Sequence, residues 1–250
     1  MKNLSIFLTL ALIVGFLAIT SQAIATPIYW ESNYGTWSDL SEEDDETESY
    51  SLGFSFTFYG ESYDSVWVNS NGALQFEDDD DDDEVEDDIE DRYGRVIAPY
   101  WADMDPEKGG NVYYNTLGIA GDKRFVVTWD DVMDYEEEFR STYQVVIYEN
   151  GIIQFGYDSL HGSGDDDGDD VIGVSQGDGT HFNYFIAADG DSGGIYPDGK
   201  NLFYTWNDGT ANYDVSENYD VSEPVPEPAT MLLFSIGLLG LAGVRRMKIK

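Results

Sequence analysis

Two short phrases of this chain, Asn71-Gly72-Ala73-Leu74-Gln75-Phe76 and Asn150-Gly151-Ile152-Ile153-Gln154-Phe155, each follow an alternating run of apolar residues. Asn-Gly between two such runs is the strongest short-range signal for a β-hairpin. It constrains this chain more tightly than any bulk property. Side chains alternate along a strand with a period of two, so loop length decides which residues face each other. A three-residue loop ending at the glycine sets Val68 against Leu74 and Val66 against Phe76. In the second phrase it sets Ile147 against Ile153, Val145 against Phe155 and Tyr143 against Tyr157. A two-residue loop would set Val68 against Gln75 instead. The apolar match therefore selects the longer loop, with Gly72 and Gly151 in the left-handed region that glycine enters without steric cost.

The rest of the central chain agrees. In SLGFSFTFY, Leu52, Phe54, Phe56 and Phe58 alternate with small or polar residues, the period of a half-buried strand. RFVVTW, TYQVVIY, IIQFGY, HFNYFI and NLFYTW are rich in β-branched and aromatic residues and are separated by Gly, Asp and Asn. No long helical periodicity occurs outside the two termini. The expected fold is mostly β, a single β-sandwich-like domain of antiparallel hairpins over residues 26–211.

Charge sets the loops. The chain holds 50 Asp+Glu against 12 Lys+Arg in 250 residues and no Cys. Without cysteine no disulfide can form, so stability must come from the core. The acids gather at 41–48 (SEEDDETE), 77–91 (EDDDDDDEVEDDIED) and 165–170 (DDDGDD), and runs of like charge are expected as solvated loops. Residues 212–223 read NYDVSE twice over and are followed by prolines. This predicts an acidic, Pro-containing linker over 212–228.

Both ends of the chain are apolar. Lys2 precedes LSIFLTLALIVGFLAIT and then Ala23-Ile24-Ala25. One basic residue, an apolar core and a small-x-small exit are the parts of a secretory signal peptide, residues 1–25, which implies the Sec translocon as a partner and cleavage after Ala25. At the other end Ala229 to Val244 is uncharged and Arg245, Arg246, Lys248 and Lys250 follow. A 16-residue run is about 24 Å as a helix at roughly 1.5 Å per residue. That is a short transmembrane helix, lengthened by Met247 and Ile249 while the basic side chains snorkel. The basic end stays in the cytoplasm and the acidic domain outside. Residues 26–228 then keep all 50 acids and seven bases, a net of −43. Such a charge excludes nucleic acid and anionic lipid surfaces as partners, since both need Lys and Arg to neutralise phosphate.

Val225-Pro226-Glu227-Pro228-Ala229-Thr230, an apolar helix with spaced glycines, and Arg245-Arg246 at the very C-terminus together resemble the PEP-CTERM sorting signal of Gram-negative bacteria, here 225–250. The resemblance implies recognition by exosortase, with Pro226, Glu227, Pro228, Arg245 and Arg246 as the sorting residues. It also implies a transient inner-membrane anchor and then a place at the cell surface or in the extracellular matrix. A plain short membrane anchor is the other reading of the apolar run. The middle of the chain, VWVNSNGALQF, VIAPYWADMDPEKGGNVYYN, RFVVTWDDV, STYQVVIYENGIIQFGYDSL and VIGVSQGDGTHFNYF, is similar to the nidogen-like (NIDO) extracellular domain. That similarity runs from about Leu52 to Trp206 and implies an adhesive or structural role, while the sorting-signal resemblance implies an exopolysaccharide or biofilm setting, with extracellular polysaccharide or envelope proteins as partners.

Two chemistries compete with that role. Asp103-x-Asp105-x-Glu107 and Asp165-x-Asp167-Gly168-Asp169 place several carboxylates on short loops, as Ca²⁺ prefers, although neither has EF-hand spacing. Solvated charge is the other reading of the same residues. Gly173-Val174-Ser175-Gln176-Gly177 matches the pattern of a hydrolase nucleophile elbow, which would make the protein a secreted hydrolase using Ser175. That elbow needs a helix after the serine, and GDGTHFNYF promises a turn and another strand. No catalytic or cofactor-binding residue is expected.

Overall fold

The computed structural model describes residues 30–77, 94–161, 170–186, 197 and 199–217. These lie within one compact unit, Ile28–Tyr219. The signal peptide, the acidic residues from 78 to 91, Asp165, Asp167 and Asp169, and the sorting tail with its helix 229–244 lie outside the described residues.

The strands in chain order are β1 (Thr36–Trp37), β2 (Thr47–Phe58), β3 (Glu61–Asn69), β4 (Leu74–Gln75), β5 (Val96–Trp101), β6 (Met104–Asp105) and β7 (Asn111–Leu117). They continue with β8 (Arg124–Asp134), β9 (Arg140–Tyr148), β10 (Ile153–Ser159), β11 (Val171–Ser175), β12 (Phe182–Ile186), β13 (Asn201–Asn207) and β14 (Asn212–Ser216). A 3₁₀ turn at Asp39–Glu42 precedes β2. Among the described residues the strands make two antiparallel sheets. One runs β1-β7-β8-β9-β10-β13-β14 with β6 also on β8, and the other runs β12-β11-β5-β4-β3-β2.

The two Asn-Gly phrases form the predicted hairpins. Val68 faces Leu74 across β3–β4. Ile147, Val145 and Tyr143 face Ile153, Phe155 and Tyr157 across β9–β10. Gly72 and Gly151 have φ of +93° and +90°. Val66 and Phe76 are not ladder partners, because β4 ends at Gln75 and the Phe76 amide donates to the Arg95 carbonyl instead.

Matched registers stack the larger sheet's inner face in rows. Phe125, Ile147, Ile153 and Tyr204 form one, and Val127, Val145, Phe155 and Leu202 the next. They pack against Leu52, Phe56, Val66, Val68, Ile97 and Ile172 of the second sheet in a single core. Each such side chain, fully buried, stabilises the fold by roughly 1.5–3 kcal/mol. A core of this size replaces the missing disulfides.

Three expected loop boundaries shift. Residues 41–48 are not all solvated: Ser41 is buried, its hydroxyl donating to the Val112 carbonyl and accepting from the Val112 amide, and β2 already begins at Thr47. Asp170, at the end of 165–170, is buried and accepts a hydrogen bond from the Tyr100 hydroxyl at 3.2 Å. The linker read as 212–228 starts later, because the first NYDVSE copy is strand β14 against β13. Its Tyr213 enters the core, and one ring anchoring an edge strand outweighs the solvation of two acids.

Candidate functional site

The phrases that suggested a family converge on one end of the sandwich and are buried. Asn69, Ser70, Asn71, Tyr100, Trp101, Thr128 and Trp129 have no measurable exposure. Asn71 ties three segments together. Its Nδ2 donates to Asp45 Oδ1 at 2.8 Å, its Oδ1 accepts the Met104 amide at 2.8 Å, and its carbonyl accepts the Ala102 amide at 3.1 Å. Ser70 holds the 44–46 turn from both sides, its amide donating to the Glu46 carbonyl and its hydroxyl accepting the Glu46 amide. Tyr143 stacks on Trp129 at 5.0 Å and meets Tyr100 edge-on at 5.4 Å. On the opposite face Gln144 Oε1 accepts the Glu31 amide, and Gln144 Nε2 donates to the Glu31 carbonyl and to Thr128 Oγ1. Arg124 adds an ion pair to the Glu31 carboxylate at 2.5 Å. The chain is thus fastened to the sheet six residues after the predicted cleavage at Ala25.

Of the first calcium candidate, only Asp105 is buried; Asp103 is half-buried and Glu107 exposed. Asp105 Oδ2 pairs with Lys108 Nζ at 2.9 Å, and its Oδ1 accepts the Lys108 amide. The same ammonium donates to the Tyr135 carbonyl and lies 3.8 Å over the Tyr135 ring. Asp105 therefore has its cation from within the chain. Among the described residues no three acidic or histidine side chains come together as a metal site. Of Asp103, Asp105 and Glu107, expected as a calcium loop, the one buried carboxylate is thus turned to Lys108 while Glu107 faces solvent. Asp165, Asp167 and Asp169 lie outside the described residues, as do Ala23, Ala25, Pro226, Glu227, Pro228, Arg245 and Arg246.

Asp105 also meets Asp44, which no motif in the chain singles out. Burial, first, and the carboxylates of Asp105 and Asp45 push Asp44 up to about 6, with Lys108 acting the other way and a hydrogen bond to Asp105 favouring the protonated form. The pairing joins residues far apart in sequence, so no local spacing could signal it.

Ser175 is the last residue of β11, fully buried, with its Oγ accepting the Gly177 amide at 3.0 Å. A tight turn follows, in which Asp178 accepts the Thr180 and His181 amides and bonds the His181 ring at 2.6 Å. Those hydrogen bonds, the His181 ring first, hold the Asp178 carboxyl well below the usual range. Strand β12 comes next, where the elbow would need a helix. Both glycines of the motif have packing reasons. A side chain at Gly173 would stand 2.8 Å from the Asn183 carbonyl oxygen, and one at Gly177, at φ +73°, would collide with the Gly94 carbonyl.

A two-sheet antiparallel domain whose sequence motifs bind its own loops and sheets together, flanked by export and sorting sequences, defines a class of exported β-sandwich proteins. A family model described as NIDO related matches residues 20–192, and one described as a PEP-CTERM protein-sorting motif matches residues 224–246. No curated protein and no solved structure matches the chain. The protein belongs to the NIDO-related family. Its C-terminal motif is that of a protein exported from a Gram-negative cell through a transient membrane anchor and processed there by exosortase.

Proposed function

We propose that the processed protein is a non-catalytic adhesive or structural component of the cell surface or extracellular matrix, working among exopolysaccharide. The observation that carries this reading is the order of parts in one chain: a family of extracellular character from residue 20 to 192, then a sorting motif from 224 to 246. The motif residues of the domain favour it too, since Asn71, Tyr100, Trp129 and Gln144 are buried in the fold rather than set out for a substrate. Buried Ser175, with a strand after it, supports the absence of a serine nucleophile. A surface of net −43 selects neutral or cationic partners over anionic ones. The test is recovery of the native protein from biofilm, with a fluorophosphonate probe added to the same fractions. It is expected in the polysaccharide-bound fraction, released when the glycan is digested, and unlabelled at Ser175. Recovery only as free protein in the medium would overturn the matrix role, and labelling of Ser175 would overturn the non-catalytic one.

A further inference from the structure

Strand β14 and the residue after it spell NYDVSE, Asn212 to Glu217, and the same six residues follow at once from Asn218 to Glu223. Each side-chain contact that fastens β14 lies within that phrase. Asn212 Oδ1 accepts the Tyr59 hydroxyl at 2.8 Å, and its amide group donates to the Phe182 carbonyl at 2.9 Å. Tyr213 is buried with the rings of Phe58, Tyr59 and Trp206 within 5.4 Å, and its carbonyl accepts Asn183 Nδ2. Asp214 accepts Asn207 Nδ2 at 2.7 Å, Val215 packs on the core, and Glu217 pairs with Lys200 at 3.2 Å. The duplication copies all of these groups and stops after the glutamate that makes the last contact.

We propose that the edge of β13 is a binding site for either copy: residues 218–223 can replace 212–217, with Tyr219 in the place of Tyr213 and Glu223 on Lys200. Identical side chains make identical contacts, so the two registers differ only in their connection to β13. The first needs four residues, 208–211, and the second ten, 208–217. Loop closure alone disfavours the longer connection about fourfold. The short turn has its own bonds as well, Asn207 Oδ1 accepting the Gly209 amide and the Asn207 carbonyl accepting the Thr210 amide. The first copy is therefore the major occupant and the second the minor one. On the sorting reading of Pro226-Glu227-Pro228, the register sets the reach of the tail. Nine residues, 217–225, separate β14 from Pro226 in the first register, and three, 223–225, in the second. Extended, these spacers span about 30 Å and about 10 Å. A neutral-sounding repeat thus adjusts how far the domain stands from the membrane enzyme that processes it.

The absence of native cysteine makes the test clean. Thr205 faces Asp214 in the ladder. In the full chain, Thr205→Cys with Asp214→Cys reports the first register, and Thr205→Cys with Asp220→Cys reports the second. Both pairs are expected to form an intramolecular disulfide under mild oxidation, the second at least about fourfold more slowly. Tyr213→Ala should speed the second disulfide and Tyr219→Ala should abolish it. A 205–220 disulfide that survives Tyr219→Ala would be collisional and would overturn the proposal, as would its absence in the Tyr213→Ala chain or its appearance as a linked dimer. Thermal unfolding of the chain without added cysteine gives a second check. Tyr213→Ala should lower Tm modestly and Tyr219→Ala hardly at all, with the double variant losing far more than the two together; additive losses would overturn the two-register reading.

Discussion

Asp44 is a carboxylate whose ionisation the fold resists. Its folded value of about 6 lies above the ordinary 3.8, because burial and the carboxylates of Asp105 and Asp45 favour the neutral acid. A raised acid contributes its stability fully below the ordinary value, and that contribution is lost as pH rises through about 6. Asp44→Asn keeps the shape and removes the charge. The variant should melt above the wild type at pH 7.5, with the difference narrowing toward pH 4 in thermal scans. A constant offset across that range would assign the effect to shape. The sequence showed the carboxylates but not their roles. Asp103, Asp105 and Glu107 have the spacing of a cation loop, yet Lys108, one residue beyond, takes the buried carboxylate. Ser175 teaches the same lesson: its pattern is that of an elbow, while its glycines answer to the Asn183 and Gly94 carbonyls.

Elements were more legible than residues, because apolar alternation fixes register through packing. The three-residue loops followed from matching Val68 with Leu74 and Ile147 with Ile153, and the ladders carry those pairs. Alternation is silent about what lies across the turn. Gly151 has open space where a side chain would begin, whereas a side chain at Gly72 would collide with the Tyr100 carbonyl and the Tyr143 hydroxyl. Two turns of one sequence type should therefore respond differently. Gly151→Ala should cost about 1–2 kcal/mol, the penalty of the left-handed conformation alone. Gly72→Ala should cost more than that, since the Tyr100 backbone has to move, and chemical denaturation of the two variants measures the difference. Equal costs would mean that β5 yields freely at Tyr100. Strand β14 was missed for the complementary reason: a strand of five residues held by one buried tyrosine carries too little apolar pattern to stand out from a linker.

At the scale of the whole molecule, composition and fold pull against each other. Fifty acids and seven bases occupy residues 26–228, and folding brings these charges closer than the open chain does. Ion pairs oppose that repulsion: Arg95–Glu77, Lys108–Asp105, Arg124–Glu31, Arg140–Asp131 and Lys200–Glu217 are all within 3.2 Å. The more exposed of them, Arg95–Glu77, Arg140–Asp131 and Lys200–Glu217, contribute about 0–1 kcal/mol each and weaken with salt. Repulsion among the unpaired acids is screened by the same salt, and the unpaired acids far outnumber the pairs. The Debye length shrinks from about 30 Å at 0.01 M to about 10 Å at 0.1 M, so contacts between loops on different edges of the sheets are quenched first. Repulsion should therefore win, and the Tm of the purified exported protein should rise with NaCl between 0.01 and about 0.5 M at pH 7. The rise should shrink as pH falls through the carboxylate range, where the acids neutralise without salt. A Tm that is flat or falls with NaCl at pH 7 would mean that the few ion pairs, Arg124–Glu31 foremost, outweigh the repulsion of the acidic surface.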